Sequence, residues 1–230
     1  MLRLMKLELK KFKLGWYVRG AIIANLVILA FMIFTSIIAQ IEGDPEIRDP
    51  QMILLMASAV VRATFIIFGS VLIARLIIGE YKNKTILLMF SYPINRKKMM
   101  ASKLAITAIV TFITVIVSNI LVVGIFFGID SYFSILPHSF TVDQLMQEGI
   151  KLIPLAIATA GMSLIPLYFG MRKRSVPTTI VSSLIGVSIA MNSTPEFSTA
   201  TFLPLQLALA AIGVVIAYYG IKNIEREDAL

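Results

Sequence analysis

Long apolar runs alternate with short polar breaks along this chain, at about 20–41, 52–78, 104–129, 150–170, 176–194 and 202–221. A run of roughly 20 apolar residues is the length an α-helix needs to cross the hydrocarbon layer of a bilayer. The pattern predicts an all-α, multi-pass membrane protein with six transmembrane helices in a single domain over 1–230. The runs carry few interruptions. Asn25 is the strongly polar residue inside the first. Asn119 and Gly124 interrupt the third, and Pro154 and Pro166 lie within the fourth. A proline removes a helix hydrogen bond, which membrane helices tolerate where neighbours repair the break. Ser182, Ser183, Gly186 and Ser188 give the fifth run the small, hydroxylic character of a packing face.

The second run contains two arginines. Arg75 is close enough to the end of the span to snorkel to the headgroups. Arg62 lies about 15 Å along a helix that begins at Met52, near mid-membrane. A charge there is costly unless it faces protein or water. Two readings of Arg62 follow: it lines a polar path between spans, or the hydrocarbon crossing starts later and it snorkels toward the acidic loop 42–50. Asn119 is the second intramembrane candidate for a substrate path.

The first 19 residues are basic and partly amphipathic. Leu2, Met5, Leu9, Phe12 and Trp16 recur at spacings of three and four, and Arg3, Lys6, Lys10 and Lys13 follow the same spacing one position over. That pattern predicts a helix lying in the membrane interface, with Trp16 and Tyr17 at headgroup level.

The longest polar break is Gly79–Lys103, GEYKNKTILLMFSYPINRKKMMASK. It carries Lys82, Lys84, Arg96, Lys97, Lys98 and Lys103, yet encloses the apolar run Ile86, Leu87, Leu88, Met89 and Phe90, closed by Tyr92-Pro93. A solvated loop rarely holds such a run, whereas a contact site does.

Charge orients the whole. Six basic residues lie in 1–19, six in 79–103, three in 171–175 and two in 222–230, against only Arg48 and Lys151 in the alternate loops. Basic loops stay in the cytosol. The asymmetry therefore places both termini and the central break inside a bacterial plasma membrane. The composition agrees: 58% hydrophobic, 15% charged, mean hydropathy +0.87, net charge +8. Soluble domains carry about 25% charged residues. The basic excess sits in clusters beside apolar runs, as topology signals and lipid contacts do, and no nucleic-acid partner is expected.

Several chemistries are excluded. The chain has no cysteine and one histidine, His138, in the loop after the third run. Thiol chemistry, a disulfide framework and a histidine-based metal site are therefore ruled out or improbable, and no cofactor is expected in this chain. No segment reads G-x-x-x-x-G-K-[ST], so ATP cannot be held by a P-loop here. The spans contain essentially no acids, which removes two-carboxylate catalysis and disfavours proton-coupled transport. No enzymatic activity of its own is expected.

With a basic amphipathic N-terminus, six runs and this central break, the chain resembles the ABC-2 type permeases, the transmembrane subunits of bacterial ABC transporters. The family's corresponding loop has an acidic residue, a polar stretch ending in Thr, apolar residues, then Pro-x-x-Arg. Here these are Glu80, Thr85, Ile86–Leu88, Pro93 and Arg96, while Asn83-Lys84 departs from the glycine common before the Thr. The small size is similar to permeases linked to peptide-antibiotic export and immunity.

The resemblance implies a permease working with a second copy or a homologous permease, driven by separate cytosolic ABC ATPase subunits. A coupling helix between spans two and three would seat on the ATPase, with Ile86, Leu87, Leu88 and Phe90 as anchors and Tyr92-Pro93 ending it. Glu80 would cap the loop's first turn or pair with Arg96, Lys97 or Lys98, which also meet membrane lipids. The bottom-up reading leaves one rival of another class: an ATP-independent immunity or scaffold protein that binds a toxin or partner through its spans.

Overall fold

The computed structural model describes residues 5, 8, 15–43, 49–82, 96–133, 142–191 and 202–227. The described residues are helical throughout, apart from short turns. This follows from the solvent: hydrocarbon offers no hydrogen bonds, so each spanning segment must satisfy its backbone internally. In order, the helices are α1 (Gly15–Glu42), α2 (Pro50–Ile73), continued by a π-helical turn (Ala74–Ile78) and the short α3 (Gly79–Lys82). Then come α4 (Arg96–Phe133), α5 (Val142–Met162), α6 (Pro166–Lys173), α7 (Val176–Ala190) and α8 (Leu203–Glu227). Five helical stretches are long and apolar enough to cross a membrane, and Val176–Ser188 is a shorter apolar helix. Met5 and Glu8 are helical too, while Leu2, Leu9 and Phe12 of the expected interfacial face lie outside the described residues.

Local chemistry sets the boundaries. Asp49 caps α2: its carboxylate accepts the backbone N–H of Gln51 at 3.0 Å, and Pro50 occupies the first turn, where a missing N–H costs nothing. Pro154 is carried inside α5, but the helix stops before Pro166. Between them the chain tightens to three-residue bonds, with the Leu164 N–H donating to Gly161 O and that of Ile165 to Met162 O, both at 3.1 Å. The fourth apolar run is therefore a broken helix. Arg174, with φ 44°, turns the chain into α7.

Asn119 and Gly124 do not interrupt the third run; α4 continues unbroken through both, because neither residue disturbs the backbone ladder. At 38 residues it is about 57 Å long, well beyond the ~30 Å hydrocarbon layer. Residues 142–149, which precede the fourth apolar run, form the first turns of α5. Tyr17 turns into the protein. It is 1% exposed, its ring meets Phe68 edge-on at 5.6 Å, and its hydroxyl lies 3.1 Å from Thr114 Oγ1. Trp16 does stay exposed, and the Arg75 guanidinium stacks on it, 3.8 Å from the ring centre. This is a cation–π contact between two exposed side chains.

Packing is inverted relative to a water-soluble protein. Large apolar side chains such as Ile23, Leu26, Phe34, Ile120 and Tyr218 are exposed, while Ser70, Ser102, Thr107, Thr111, Thr159, Ser163 and Ser183 are fully buried. Most of the buried hydroxyls bond a carbonyl one turn back, as Ser70 does to Ile67 O and Thr159 to Leu155 O, both at 2.7 Å. Some also bridge helices: Ser70 meets Ser183 at 3.1 Å, and Asn25 Nδ2 donates to Ser118 Oγ at 2.9 Å. Lipid tails exert no hydrophobic pull between helices, so close packing and such bonds hold the bundle.

The tightest crossing joins α5 and α8 through Gly161 and Gly213, with Ala210 one turn away. A Cβ on Gly213 would lie 2.0 Å from Gly161 O, whereas one on Gly124 would meet nothing within 4 Å. Gly213→Ala is therefore expected to cost about 1–3 kcal/mol by overpacking, read as a lower thermal midpoint in detergent, while Gly124→Ala leaves the midpoint at or above wild type. Equal midpoints would show that this crossing does not hold the helices together.

Candidate functional site

Among the described residues, Glu8, Arg62, Lys103 and Asp130 are buried charges, and two polar places are built on them, one just beyond the end of α2 and one at its middle. The first lies where the central break leaves and re-enters the bundle. Lys103, on the first turns of α4, is 2% exposed. Its ammonium donates to Leu76 O at 2.9 Å and to the Glu80 carboxylate, and lies 3.7 Å from Glu8 Oε1. Leu76 belongs to the π-helical turn, whose widened geometry disrupts the α-helical ladder at that point. Glu80 lies in the first turn of α3, which follows directly. One ammonium thus ties the exit of the central break, its return and the N-terminal segment. The α4 neighbours of Lys103, Met100 and Leu104, belong to a buried apolar cluster with Tyr17, Leu72, Ile77 and Leu167, and in such surroundings a hydrogen-bonded charge pair is strong and an unpaired charge costly.

The second place is roughly 20 Å away along α2. Arg62 is 2% exposed, and its Nε donates to Ser58 O at 3.1 Å. It lines a cavity of about 10 Å³ with Ser58, Asn119, Glu148, Val115, Leu152 and Leu155. That is room for a single water in a polar setting. The Glu148 carboxylate acts favourably on the Arg62 charge. Glu148 also lines a wider cleft of about 80 Å³ with Gln51, Gln144, Gln147 and Lys151, and pairs with Lys151 at 3.3 Å. A third, apolar hollow lined by Met32, Ile53, Ala57, Val122 and Phe126 adjoins the cleft through their shared Leu54. Polar and apolar cavities therefore lie side by side on the first half of α2.

Arg62 and Asn119, singled out separately, line one cavity, and Arg62 is enclosed by protein on α2, α4 and α5. Glu80 pairs with Lys103, which sequence reasoning had counted only as a topology charge. Arg96 opens α4. Thr85, Ile86, Leu87, Leu88, Phe90, Tyr92 and Pro93 lie outside the described residues. Glu8, Lys103 and Glu148 were missed. A signal for Glu8 and Glu80 existed: each is the single acid of a strongly basic segment, 1–19 and 79–103, which positive-inside bias does not explain. Among the described residues no group of three or more acids or histidines is arranged to hold a metal ion.

Comparison with known proteins follows this architecture. Residues 4–190 match the family described as ABC-2 family transporter protein. A Bacillus subtilis (strain 168) protein, YcbO, named there as uncharacterized, is 42% identical over 228 residues, covering 99% of this chain and 100% of the relative. No solved structure matches. With the family matched over most of its length and a relative aligned end to end, the chain belongs to the ABC-2 family of transporter proteins.

Proposed function

We propose that this chain is the membrane-spanning permease subunit of an ATP-driven exporter, working as a pair of permeases with separate ATPase subunits docked on the central loop from the cytosol. The family match carries this reading. The charge asymmetry supports the orientation, with the basic segments 1–19, 79–103 and 171–175 inside and both termini cytosolic in the bacterial plasma membrane. The docking element is the run Ile86–Phe90, which supplies apolar anchors for a groove on the ATPase, with Pro93 ending the helix. Closure of the ATPases on nucleotide would pull the loop and shift α2 and α4, which root it.

The substrate class is amphipathic, a peptide or lipid-like molecule. The support is the cavity group on the first half of α2. Arg62, Asn119, Glu148 and neighbouring glutamines offer a polar end, and the hollow at Met32, Ile53 and Phe126 offers an apolar one. The buried Arg62 charge fits such a role, because an ionisable group within a span is expensive to keep and marks a path or a binding group.

Two outcomes test this. A variant carrying Leu88→Asp and Phe90→Asp is expected to insert normally but to lose capture of a P-loop ATPase in quantitative pull-downs from native membranes. Wild-type capture by that variant would remove the docking role, and a wild-type preparation free of ATPase under crosslinking would favour an ATP-independent, partner-binding protein. In a double-mutant cycle of Arg62→Leu and Glu148→Gln read by thermal melting, the pair is expected to couple by about 0.5–3 kcal/mol. Additive losses would separate the two residues.

A further inference from the structure

We infer that Lys103 is a positioning residue that clamps both roots of the central loop to the N-terminal segment, so that a pull on the loop moves the ends of α2 and α4 and that segment as one unit. This rests on the reading of the loop as the ATPase docking site. The geometry carries it. The loop leaves the bundle at Glu80 and returns through α4, and the Lys103 ammonium bonds Glu80 on the leaving strand of chain from its own place on the returning one. Its bond to Leu76 O fastens the π-helical turn that leads into α3 and Glu80. The third partner, Glu8, brings in the segment before α1. At 3.7 Å it is an ion pair beyond hydrogen-bond length.

The residue types fit the task. A lysine ammonium has three donors that point in different directions, so it can serve three chain segments at once. Lys103 and Glu8 are buried, at 2% and 8% exposure, and Glu80 is half-buried. Breaking the cluster therefore leaves charges in apolar surroundings, and it is kept or lost as a whole. Topology alone would be served by any basic residue exposed at the rim, as Lys98 is. A lysine drawn inward onto two acids and a backbone carbonyl does something more. The π-helical turn adds a place where α2 can change register: such turns are local departures from the α-helical ladder that recur at functional sites. With Lys103 in place, that turn cannot absorb a displacement of the loop, and the displacement passes on to α2.

The test uses the full-length permease, with its ATPase in native membranes and also purified alone. The variants are Lys103→Met, which keeps length and removes charge, and Lys103→Arg, which keeps charge. In the purified permease, Lys103→Met is expected to speed amide hydrogen exchange over residues 76–82 by about tenfold, with Lys103→Arg near wild type. In the complex, Lys103→Met is expected to capture the ATPase in wild-type amount but to weaken the permease-dependent change in ATP hydrolysis by at least about fivefold, and Lys103→Arg to restore most of it. Unchanged exchange in Lys103→Met, or full modulation of hydrolysis at wild-type capture, overturns the clamp. If Lys103→Met does not fold, Glu80→Gln takes its place with the same two readouts. If wild type captures no ATPase, the docking reading falls and the exchange measurement alone decides whether the clamp exists.

Discussion

A hydrocarbon surrounding that offers no hydrogen bonds governs everything else in this protein. It forces the backbone into helices, turns hydroxyls inward onto carbonyls one turn back, and leaves Ile, Leu and Phe on the outside. It also makes each buried charge expensive. Among the described residues, two groups of interior charges stand out, Lys103 with Glu80 and Glu8, and Arg62 with Glu148, besides Asp130 near the end of α4. Arg62 lies on α2, and Leu76 and Glu80 lie on the helical turns that continue it, so one helical stretch joins the two groups. The remaining polar contacts, such as Ser70 with Ser183 and Asn25 with Ser118, fasten neighbouring helices to that shaft and to α4.

That layout divides the labour. The end of α2 next to the central loop is cross-braced by Lys103, whereas the other end is surrounded by small cavities. A braced end transmits a displacement, and a loosely filled end can respond to it by opening or closing. The broken helix α5–α6 lies beside this shaft: Gly69 of α2 sits where a Cβ would come within 2.6 Å of Ser163 Cβ, at the break itself. Discrete two-state motions require packed interfaces of this kind, which rearrange by steps and do not deform smoothly.

Much of this was legible in the sequence, for physical reasons. Apolar run length gives the helices, because the bilayer sets it. Arg62 and Asn119 stood out because polarity is conspicuous in a span, and they do line one cavity. Other features were hidden. Helix ends run past the apolar runs, as in α4 from Arg96 to Phe133, because backbone bonding continues where hydropathy stops. Tyr17 carries the signature of an interfacial aromatic, but a hydroxyl partner on Thr114 and the Phe68 ring draw it inside. Lys103 looks like one more positive-inside charge, since a count of basic residues does not record which of them turns inward. The anchors Ile86–Phe90 remain a matter of sequence, as they lie outside the described residues.

The central claim is that the loop end and the cavity end of α2 are coupled. Because the chain has no cysteine, a thiol placed at Ser58→Cys, beside Arg62 and Asn119, reports on the cavity alone. Its labelling rate by a membrane-impermeant thiol reagent should be measured in native vesicles, with the partner ATPase free of nucleotide and then trapped with it. Coupling predicts a change of at least about fivefold between the two states. Equal rates in a complex whose ATPase is demonstrably trapped would contradict it, leaving two charged groups that share a helix and nothing more.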